Sequence, residues 1–340
     1  MCKVSVIVPN YNHAPYLRQR LDSIFNQTFQ DFEVIILDDC STDNSKEIIE
    51  EYRNRSQVSH VVYNETNSGS PFKQWAKGFD LAQGEYIWIA ESDDWAELNF
   101  LDVLVSILDQ DNSLTLAFCE NYWEFGTKTE QQRFCFSAST IKGSRFIKKY
   151  QSFRNRIVNA SSVLFRKKIL HSIPNNYQDL TSCGDYLFWI YLLEKGNIRY
   201  IRKHLNHFRR HSFTTTTKST TSGKTFFENF YIYEYLFNQG YITPFLKLRI
   251  FTYNLDLIER HKQDLLTNKA YIKCKKLWEF QDKGFLIKII RALARDANIC
   301  HENFSMGAKI WKILHLPNTN IRKKYTSRRN VRKNNDQLAK

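Results

Sequence analysis

The chain has 340 residues, a hydrophobic content of 42% and a formal net charge of +14, which indicate a globular protein with a substantial core. Its seven cysteines are scattered without a CxxC pair, which argues against a zinc site and a secreted disulfide framework. No apolar run approaches the roughly 18 residues of a membrane-spanning helix, and no signal-peptide pattern follows Met1. We therefore expect a cytoplasmic protein.

Short β-branched runs alternate with helical patterns along the first part of the chain. Strands are predicted at 3–8, 33–37, 60–63, 85–90 and 115–119, and helices at 16–29, 43–55, 72–82 and 98–109. Further on, 161–165 and 198–201 are predicted strands, and 185–194 is a predicted aromatic-rich helix. This alternation is typical of an α/β fold with a mostly parallel sheet.

A Thr/Ser-rich stretch at 212–224 interrupts this alternation and is predicted to be a loop. The pattern from 226 to about 316 is almost wholly helical. We therefore predict an α/β domain over 1–220, a helical extension over 221–316 and a basic, disordered tail over 317–340.

The positive charge is concentrated near the end of the chain. The segment Lys309–Lys340 holds ten Lys or Arg residues and one acid, Asp336. Just before it, 285–300 has the pattern of a basic amphipathic helix. Two interpretations stay open: this region binds an anionic membrane surface, which would make the protein peripheral at the inner face of the membrane, or the helix packs on the α/β domain. Nucleic acid is the less favoured partner of the tail.

Polar clusters follow three of the predicted strands. They are Pro9–Asn12, Asp38–Asp43 and Glu91–Asp94. Each could be an ordinary turn, because turns are rich in Asp, Asn and Pro. The carboxyl ends of parallel strands share one edge of a sheet, where ligands bind, so three clusters together predict a pocket.

The composition of these clusters restricts the ligand. Neither GxGxxG nor GxxxxGK[ST] occurs, which disfavours a dinucleotide-dependent oxidoreductase and a P-loop NTPase. Without a glycine-rich loop, a diphosphate is most simply neutralised by a divalent cation on carboxylates, with Arg or His nearby. Asp93 and its neighbours could supply the oxygen ligands.

In four segments the sequence resembles the family 2 glycosyltransferases, which are inverting enzymes of the GT-A fold. The segments are VSVIVPNYNHAPYLRQRLDSIFNQTFQDFEVIILDDCSTDNS (Val4–Ser45), NSGSPFKQWAKGFDLAQGEYIWIAESDDW (Asn67–Trp95), CGDYLFW (Cys183–Trp189) and FRRHSFTTT (Phe208–Thr216). The resemblance covers roughly 3–215. It implies a mostly parallel sheet flanked by helices, followed here by the helical extension.

The resemblance also implies roles for individual residues. Glu91, Ser92 and Asp93 stand at the DxD motif, with Asp93 as the ligand of Mn²⁺ or Mg²⁺, and Asp185 stands at the position of the general base. The nucleotide would be held by Pro9, Tyr11, Asn12 and Asp39, and Asp94 would lie on the donor side. Arg209 and His211 would close over the diphosphate, and His211 would complete the metal shell.

Four residues, at three sites, depart from the family pattern. Glu91 replaces the usual first Asp of the motif, Gly184 replaces an acid before the base, and Trp75 and Ala76 replace an Arg-Asn pair. These departures concern contacts to the donor more than the class of reaction.

Structural alternatives stay open at several sites. Asp94 could cap the helix that opens near Glu97, and Asp38 could mainly tie its turn together. Asp185 could be an N-cap of its own helix, and His211 part of a surface run. Trp95 could be a wall for the acceptor sugar or a core residue.

We therefore expect an inverting transfer of a sugar from a nucleotide diphosphate donor, UDP-linked in the first instance, to a hydroxyl of a glycan or lipid-linked saccharide. The alternative is a catalytically silent module that binds nucleotide sugars.

Overall fold

The computed structural model describes residues 2–134, 136, 140–210 and 219–279. The strands are β1 (Val4–Asn10), β2 (Phe32–Asp38), β3 (Val58–Tyr63), β4 (Tyr86–Ile89), β5 (Trp95–Ala96), β6 (Leu114–Phe125), β7 (Lys128–Gln131), β8 (Thr140–Lys142), β9 (Val163–Arg166) and β10 (Asn197–Arg209). The helices are α1 (Ala14–Phe25), α2 (Ser45–Tyr52), α3 (Pro71–Leu81), α4 (Phe100–Gln110), α5 (Gly143–Phe146), α6 (Gly184–Glu194), α7 (Lys224–Asn238), α8 (Pro244–Arg260), α9 (Lys262–Thr267) and α10 (Tyr271–Trp278). His211, the predicted helix at 285–300 and the basic tail lie outside the described residues.

One sheet organises the described part of the chain, in the order β3-β2-β1-β4-β9-β6-β10-β5. The pairs β1/β2, β1/β4, β2/β3 and β6/β10 are parallel, whereas β9 is antiparallel to both β4 and β6. Six strands therefore run in one direction and end at a common edge. The predicted mostly parallel sheet is confirmed.

The central strands are buried on both faces, as expected where helices cover both sides of a parallel sheet. In β1, Val4, Val6 and Val8 pack into one core cluster, whereas Ile7 packs into a second cluster on the opposite face. Successive side chains of a strand point to opposite faces, so one apolar run contributes to both cores. The sheet is thereby held rigidly between two helical layers.

Strands β6 and β10 are longer than the predicted 115–119 and 198–201. The added residues include polar side chains that pair across the strands. His207 of β10 makes hydrogen bonds with Glu124 of β6 at 2.7 Å and with Glu97 at 2.9 Å, and Asn206 donates to Asn121 at 2.9 Å. Cross-strand pairing gives Glu124, Asn206 and His207 polar partners, which a hydrophobic-run criterion cannot detect.

Helices α7 to α10 belong to the same compact unit as the sheet. Trp278 of α10 is fully buried, and its indole N–H donates to the carbonyl of Phe226 at 3.1 Å. Tyr233 and Tyr235 of α7 lie edge-on to Tyr186 and Tyr191 of α6. The described part of the helical extension therefore shares a core with α6.

Candidate active site

The turn Glu91–Asp94 after β4, the acid turn, brings three carboxyl groups together at the carboxyl edge of the sheet. Glu91, Asp93 and Asp94 follow the buried residues of β4. Ser92 between them is buried, and its hydroxyl lies 2.8 Å from Nδ1 of His13, at the start of α1. The predicted acid cluster is thus anchored from the loop that follows β1.

Asp94 is buried, and both of its carboxylate oxygens accept hydrogen bonds from the protein. Oδ2 accepts from Asn159 Nδ2 and Ser161 Oγ, both at 2.7 Å, and Oδ1 accepts from the backbone N–H of Arg209 at 3.0 Å. The alternative that Asp94 caps the following helix is wrong, because α4 begins only at Phe100 and has Asn99 as its N-cap. Asp94 instead ties the acid turn to β10 and to the segment before β9.

Glu91 points toward helix α3. Its carboxyl accepts a hydrogen bond from the indole N–H of Trp75 at 2.9 Å. Burial, and then the negative charge of Asp93, raises the pKa of Glu91 to about 8. Trp75 and Glu91, two of the departures from the family pattern, are therefore in direct contact through this hydrogen bond.

A buried arginine lies beneath the acid turn. Arg20 of α1 is fully buried, donates from Nε to the carbonyl of Glu91 at 2.8 Å and has its NH2 4.0 Å from Asp94. Burial lowers the pKa of Arg20 to about 10, and burial followed by repulsion from Asp93 raises the pKa of Asp94. The opposite charges offset part of the free energy needed to bury each of them.

Arg209 reaches the acid turn from the end of β10. Its guanidinium donates to the carbonyl of Asp93 at 2.5 Å and to Oε1 of Gln19 at 2.7 Å, and it lies 4.5 Å from the ring centroid of Tyr16. A cation held at this edge beside Asp93 is suited to an anionic ligand. The structure therefore places Arg209 beside Asp93, and these are two residues that the family resemblance assigns to the donor site.

The loops after β1 and β2 are joined to each other. Asp38 accepts from Asn10 Nδ2 at 2.8 Å and from the backbone N–H of Ser41 at 2.9 Å, which bears out the interpretation that it ties its turn together. Asn12 has a left-handed φ of 56° and accepts from the backbone N–H of Thr42 at 2.7 Å. Pro9 is buried in β1, whereas Tyr11 is 46% exposed at the edge.

Asp39 is buried and fixes the approach to helix α3. Its carboxylate accepts from Asn64 Nδ2 at 2.7 Å, from Gln74 Nε2 at 2.9 Å and from the backbone N–H and hydroxyl of Ser68. Although the two are neighbours in sequence, Asp38 binds Asn10 at the end of β1, whereas Asp39 binds the loop after β3. The residue between Asp39 and Ser41, Cys40, is left-handed with φ 65°.

Asp185 lies in the first turn of α6, whose N-cap is Cys183, so the N-cap alternative for Asp185 is wrong. Its Oδ2 accepts from Asn155 Nδ2 at 2.9 Å. Burial raises the pKa of Asp185 to about 7, against the opposing effect of this hydrogen bond. A carboxyl with a pKa near neutral can accept a proton at physiological pH.

Two elements connect Asp185 with the acid turn. Helix α3 places Trp75 on Glu91 and also against Trp189 of α6, with ring centroids 6.0 Å apart. The segment 155–161 places Asn155 on Asp185, and Asn159 and Ser161 on Asp94. The two carboxylate sites are thus held by common supports.

Sequence reasoning missed Asn155, Asn159 and Ser161. Because β9 is antiparallel to β4, the residues before it lie at the edge where β4 ends. The signal was a polar run, Asn159–Ser162, immediately before a buried strand. Neither its role nor its partners could be read from the sequence, because the strand direction was unknown.

Trp95 stacks on the imidazole of His207, with an angle of 14° between the rings. Its ring is only partly exposed, and β5 pairs with β10 at this position. Packing on His207 therefore accounts for one face of the Trp95 ring. The predicted acceptor contact of Trp95 stays a prediction.

Within the described residues, no group of three or more His, Cys, Asp or Glu side chains is placed to hold a metal ion by itself. The acid turn nevertheless concentrates negative charge, since Asp93 raises the pKa of both Glu91 and Asp94. A cation shared between Asp93 and a bound diphosphate fits this arrangement, because Mg²⁺ commonly uses only one or two carboxylates plus substrate phosphates.

The fold and site together define an α/β protein of the GT-A class, with a mostly parallel sheet and an acid turn after its fourth strand. Residues 5–173, about half of the chain, match the family Glycosyl transferase family 2, and the chain belongs to this family. The resemblance found in the sequence is thereby confirmed.

Two relatives illustrate the similarity. The chain is 39% identical over 115 residues to poly(ribitol-phosphate) beta-N-acetylglucosaminyltransferase TarS of Staphylococcus aureus, covering 33% of this chain and 20% of that protein. It is 28% identical over 199 residues to the putative teichuronic acid biosynthesis glycosyltransferase TuaG of Bacillus subtilis, covering 58% of this chain and 74% of that protein. The matched region thus spans about a fifth of the length of TarS.

Solved structures show the same fold. The structure of S. aureus TarS 1–349 in complex with UDP-GlcNAc superposes with a TM-score of 0.55 at 22% identity, covering 81% of this chain and 89% of that one. A structure of S. aureus TarS gives a TM-score of 0.51 at 27% identity, covering 64% of this chain and 38% of that one. Of the helices in the described residues, none is both long and apolar enough to cross a membrane.

Proposed function

We propose that the protein transfers a sugar from a nucleotide diphosphate donor, UDP-linked in the first instance, to a hydroxyl group with inversion at the anomeric carbon. One observation carries this proposal: Asp185, a partly buried carboxyl whose pKa is raised to about 7, shares its supports with the acid turn after β4. A proton acceptor and a binding site for a charged leaving group are the two parts that such a reaction needs.

In the proposed reaction the acceptor hydroxyl attacks the anomeric carbon from the face opposite the nucleotide. Its proton passes to the Asp185 carboxylate as the new carbon–oxygen bond forms. The bond from the anomeric carbon to the diphosphate oxygen breaks, and its electron pair leaves with the nucleoside diphosphate. A single carboxylate base is enough for this direct displacement, whereas glycoside hydrolases use a pair of carboxyl groups.

The leaving diphosphate would lie between the acid turn and the end of β10. Arg209 supports this position, because its guanidinium is fixed to the carbonyl of Asp93 and to Gln19. Donors and charges that are already oriented stabilise a developing negative charge without further rearrangement. We assign Asp94 to holding this arrangement, since it binds the backbone N–H of Arg209.

A divalent cation, Mn²⁺ or Mg²⁺, fits this site through Asp93. When bound, it would neutralise charge on the diphosphate. We propose Asp93 as the carboxylate ligand, because it stands at the DxD position of the family pattern and its backbone carbonyl holds the Arg209 guanidinium at the same edge of the sheet. The predicted ligand His211 lies outside the described residues.

The nucleotide would lie over the loops after β1 and β2. Tyr11 is exposed there and offers a flat ring, and Pro9 and Asn12 shape the same loop. Asp39 would support this pocket, because its carboxylate holds Asn64 and Ser68 of the loop after β3 and Gln74 of α3. UDP as the nucleotide is supported by the fold shared with TarS, whose structure was solved with UDP-GlcNAc.

The acceptor is proposed to be a hydroxyl of a bacterial glycan, polyol phosphate polymer or lipid-linked saccharide. The names of the relatives support this class, since TarS acts on poly(ribitol-phosphate) and TuaG is assigned to teichuronic acid biosynthesis. Trp95, beside the acid turn, is the proposed wall for the acceptor sugar. Association with an anionic membrane through the basic C-terminal segment stays a prediction.

The direct test is a screen of UDP-, GDP- and dTDP-sugars with the full chain, in the presence and absence of Mn²⁺. Release of the nucleoside diphosphate is followed by mass spectrometry. We expect Mn²⁺-dependent release of UDP from at least one UDP-sugar. Binding of UDP without turnover of any donor, including in the presence of glycan acceptors, would instead identify a silent binding module.

A further inference from the structure

A carboxylate from the helical extension occupies the loop that leads into α6. Oε1 of Glu228, on α7, accepts from the backbone N–H of Thr181 at 2.8 Å and from its hydroxyl at 2.9 Å. Oε2 accepts from the backbone N–H groups of Ser182 at 2.8 Å and Cys183 at 2.7 Å. Three successive N–H groups therefore converge on one side chain.

These donors directly precede the helix that carries Asp185, and the last of them belongs to its N-cap residue, Cys183. The N-cap of α6, Cys183, makes no side-chain capping hydrogen bond. The first N–H groups of a helix lack partners within it, and the helix dipole favours a negative charge at this end. Glu228 supplies an acceptor and a charge from another element, and a second contact, between the hydroxyls of Thr225 and Ser182 at 3.0 Å, joins the same two segments.

The geometry also explains the departure at Gly184. A Cβ at this position would lie 2.4 Å from the Phe72 ring and 2.6 Å from the carbonyl oxygen of Tyr177. The backbone is therefore packed too closely for the acidic side chain that the family pattern places before the base. A carboxylate is nevertheless present at this end of the helix, and it comes from Glu228.

We infer that Glu228 is a positioning residue for Asp185, and that helix α7 thereby helps to set the geometry of the catalytic site. The inference rests on the proposed function, since it requires Asp185 to be the base. Glu228 fixes Thr181, Ser182 and Cys183, and Asp185 follows two residues later. Displacing a reacting group by about 1 Å can lower a rate by about a hundredfold.

Glu228 also acts on Asp185 through charge. Asp185 interacts with Glu228 on α7, with the side chain of Asn155, and with Cys183 and Tyr186 at the start of α6. Tyr233 on α7 and Arg154 and Arg156, which flank Asn155, interact with these neighbours of Asp185. Burial raises the pKa of Cys183 and Tyr186, so both are neutral at pH 7. The charge of Glu228 adds to the effect of burial in raising the pKa of Asp185.

The test compares Glu228→Ala and Glu228→Gln with a matched control, Glu234→Gln, in the full chain. Glu234 lies on the same helix and pairs with Lys247 at 2.7 Å. We expect kcat to fall by about tenfold to a hundredfold in Glu228→Ala, with UDP affinity by calorimetry unchanged. The glutamine variant keeps one acceptor oxygen, so it should recover part of kcat.

The pH dependence of kcat distinguishes positioning from a purely structural effect. Both Glu228 variants remove a negative charge beside Asp185, so the acid-side limb of the profile should move to lower pH. The inference would be overturned if kcat fell but the acid-side limb of the pH profile did not move. It would also be overturned if Glu228→Gln had the kcat and the pH profile of wild type. Turnover by wild type and by Glu234→Gln tests the proposed function separately, and the absence of turnover in both would overturn the proposed function and this inference together.

Discussion

Glu91, Asp93 and Asp94 crowd into one turn after β4, whereas Asp185 lies at the start of α6 with the amide of Asn155 on its carboxyl. In the acid turn, repulsion from Asp93 adds to burial in raising the pKa of both neighbours. At Asp185 burial is likewise the largest cause of the raised pKa, and the charge of Glu228 makes a smaller contribution. The two regions therefore differ in how the carboxyl groups are arranged: three crowd into the acid turn, where a cation would relieve their repulsion, whereas Asp185 on α6 is the proposed proton acceptor.

The largest effect is expected from Asp185→Asn, which removes the proposed proton acceptor and keeps its shape. We expect kcat to fall by about 10²- to 10⁴-fold, the usual contribution of general base catalysis. UDP affinity should be unchanged, because the proposed nucleotide site is at the loops after β1 and β2 and not at Asp185. Calorimetry measures UDP affinity and steady-state kinetics measures kcat. The control is Asp179→Asn, a change at an exposed aspartate. Equal losses of affinity and kcat would contradict the separation of roles.

Asp94→Ala should instead act on stability. It removes three hydrogen bonds and leaves the buried Arg20 without its nearest carboxylate. Breaking a buried charge pair by removing one partner typically costs about 3 kcal/mol of unfolding free energy. Urea denaturation measures the loss of unfolding free energy, and the control Asp179→Ala should change the unfolding free energy little. A stable Asp94→Ala variant that fails only in donor binding would assign Asp94 to the donor instead.

Asp93→Asn should weaken donor binding while the fold is retained. Loss of one charged interaction predicts a decrease of roughly tenfold to a hundredfold in the Mn²⁺-supported affinity for UDP. Titration with and without Mn²⁺ separates this effect from direct contacts to the nucleotide. The same loss in the absence of Mn²⁺ would argue that Asp93 is not a metal ligand.

Gly184→Ala tests how closely α6 packs on α3. The added Cβ would meet the Phe72 ring and the carbonyl of Tyr177, so we expect a loss of about 1 to 3 kcal/mol of unfolding free energy. Thermal and urea denaturation measure this loss. If Gly184→Ala unfolds like wild type, the close approach of the two helices is not present in solution.

The pH dependence of kcat gives the smallest but most specific effect. Asp185 must be ionised to accept a proton, and its pKa is raised to about 7, so kcat should rise as the pH increases through about 7. The hydrogen bond from Asn155 opposes this raised pKa, so Asn155→Ala should move the rising limb to higher pH. A limb that moves to lower pH would contradict the assigned role of Asn155.

Much of the fold could be predicted from the sequence because its central strands are short, buried apolar runs. The polar ends of β6 and β10 were not predicted, since Glu124 and His207 satisfy one another only across the sheet. The position of Asp93 at the carboxyl edge followed from strand direction, whereas Arg209 was implied only by the family resemblance, since the predicted strand ended at 201. Asn159 and Ser161, which precede the antiparallel strand β9, were not predicted, because no local pattern gives the direction of that strand.

The supports of Asp185 were beyond sequence reasoning for a related reason. Asn155 and Glu228 lie 30 and 43 residues from Asp185 along the chain, and only tertiary packing brings them to α6. Gly184 was recognised as a departure from the family pattern. Its cause, the proximity of Phe72 and Tyr177, required the structure.

The central claim, direct displacement with Asp185 as the single base, is tested most directly by the stereochemistry of transfer. The full chain is supplied with an α-linked UDP-sugar identified in the donor screen and an acceptor, and the anomeric configuration of the product is read from its proton NMR coupling. We predict a β-linked product. An α-linked product would contradict the account, because retention cannot arise from one displacement.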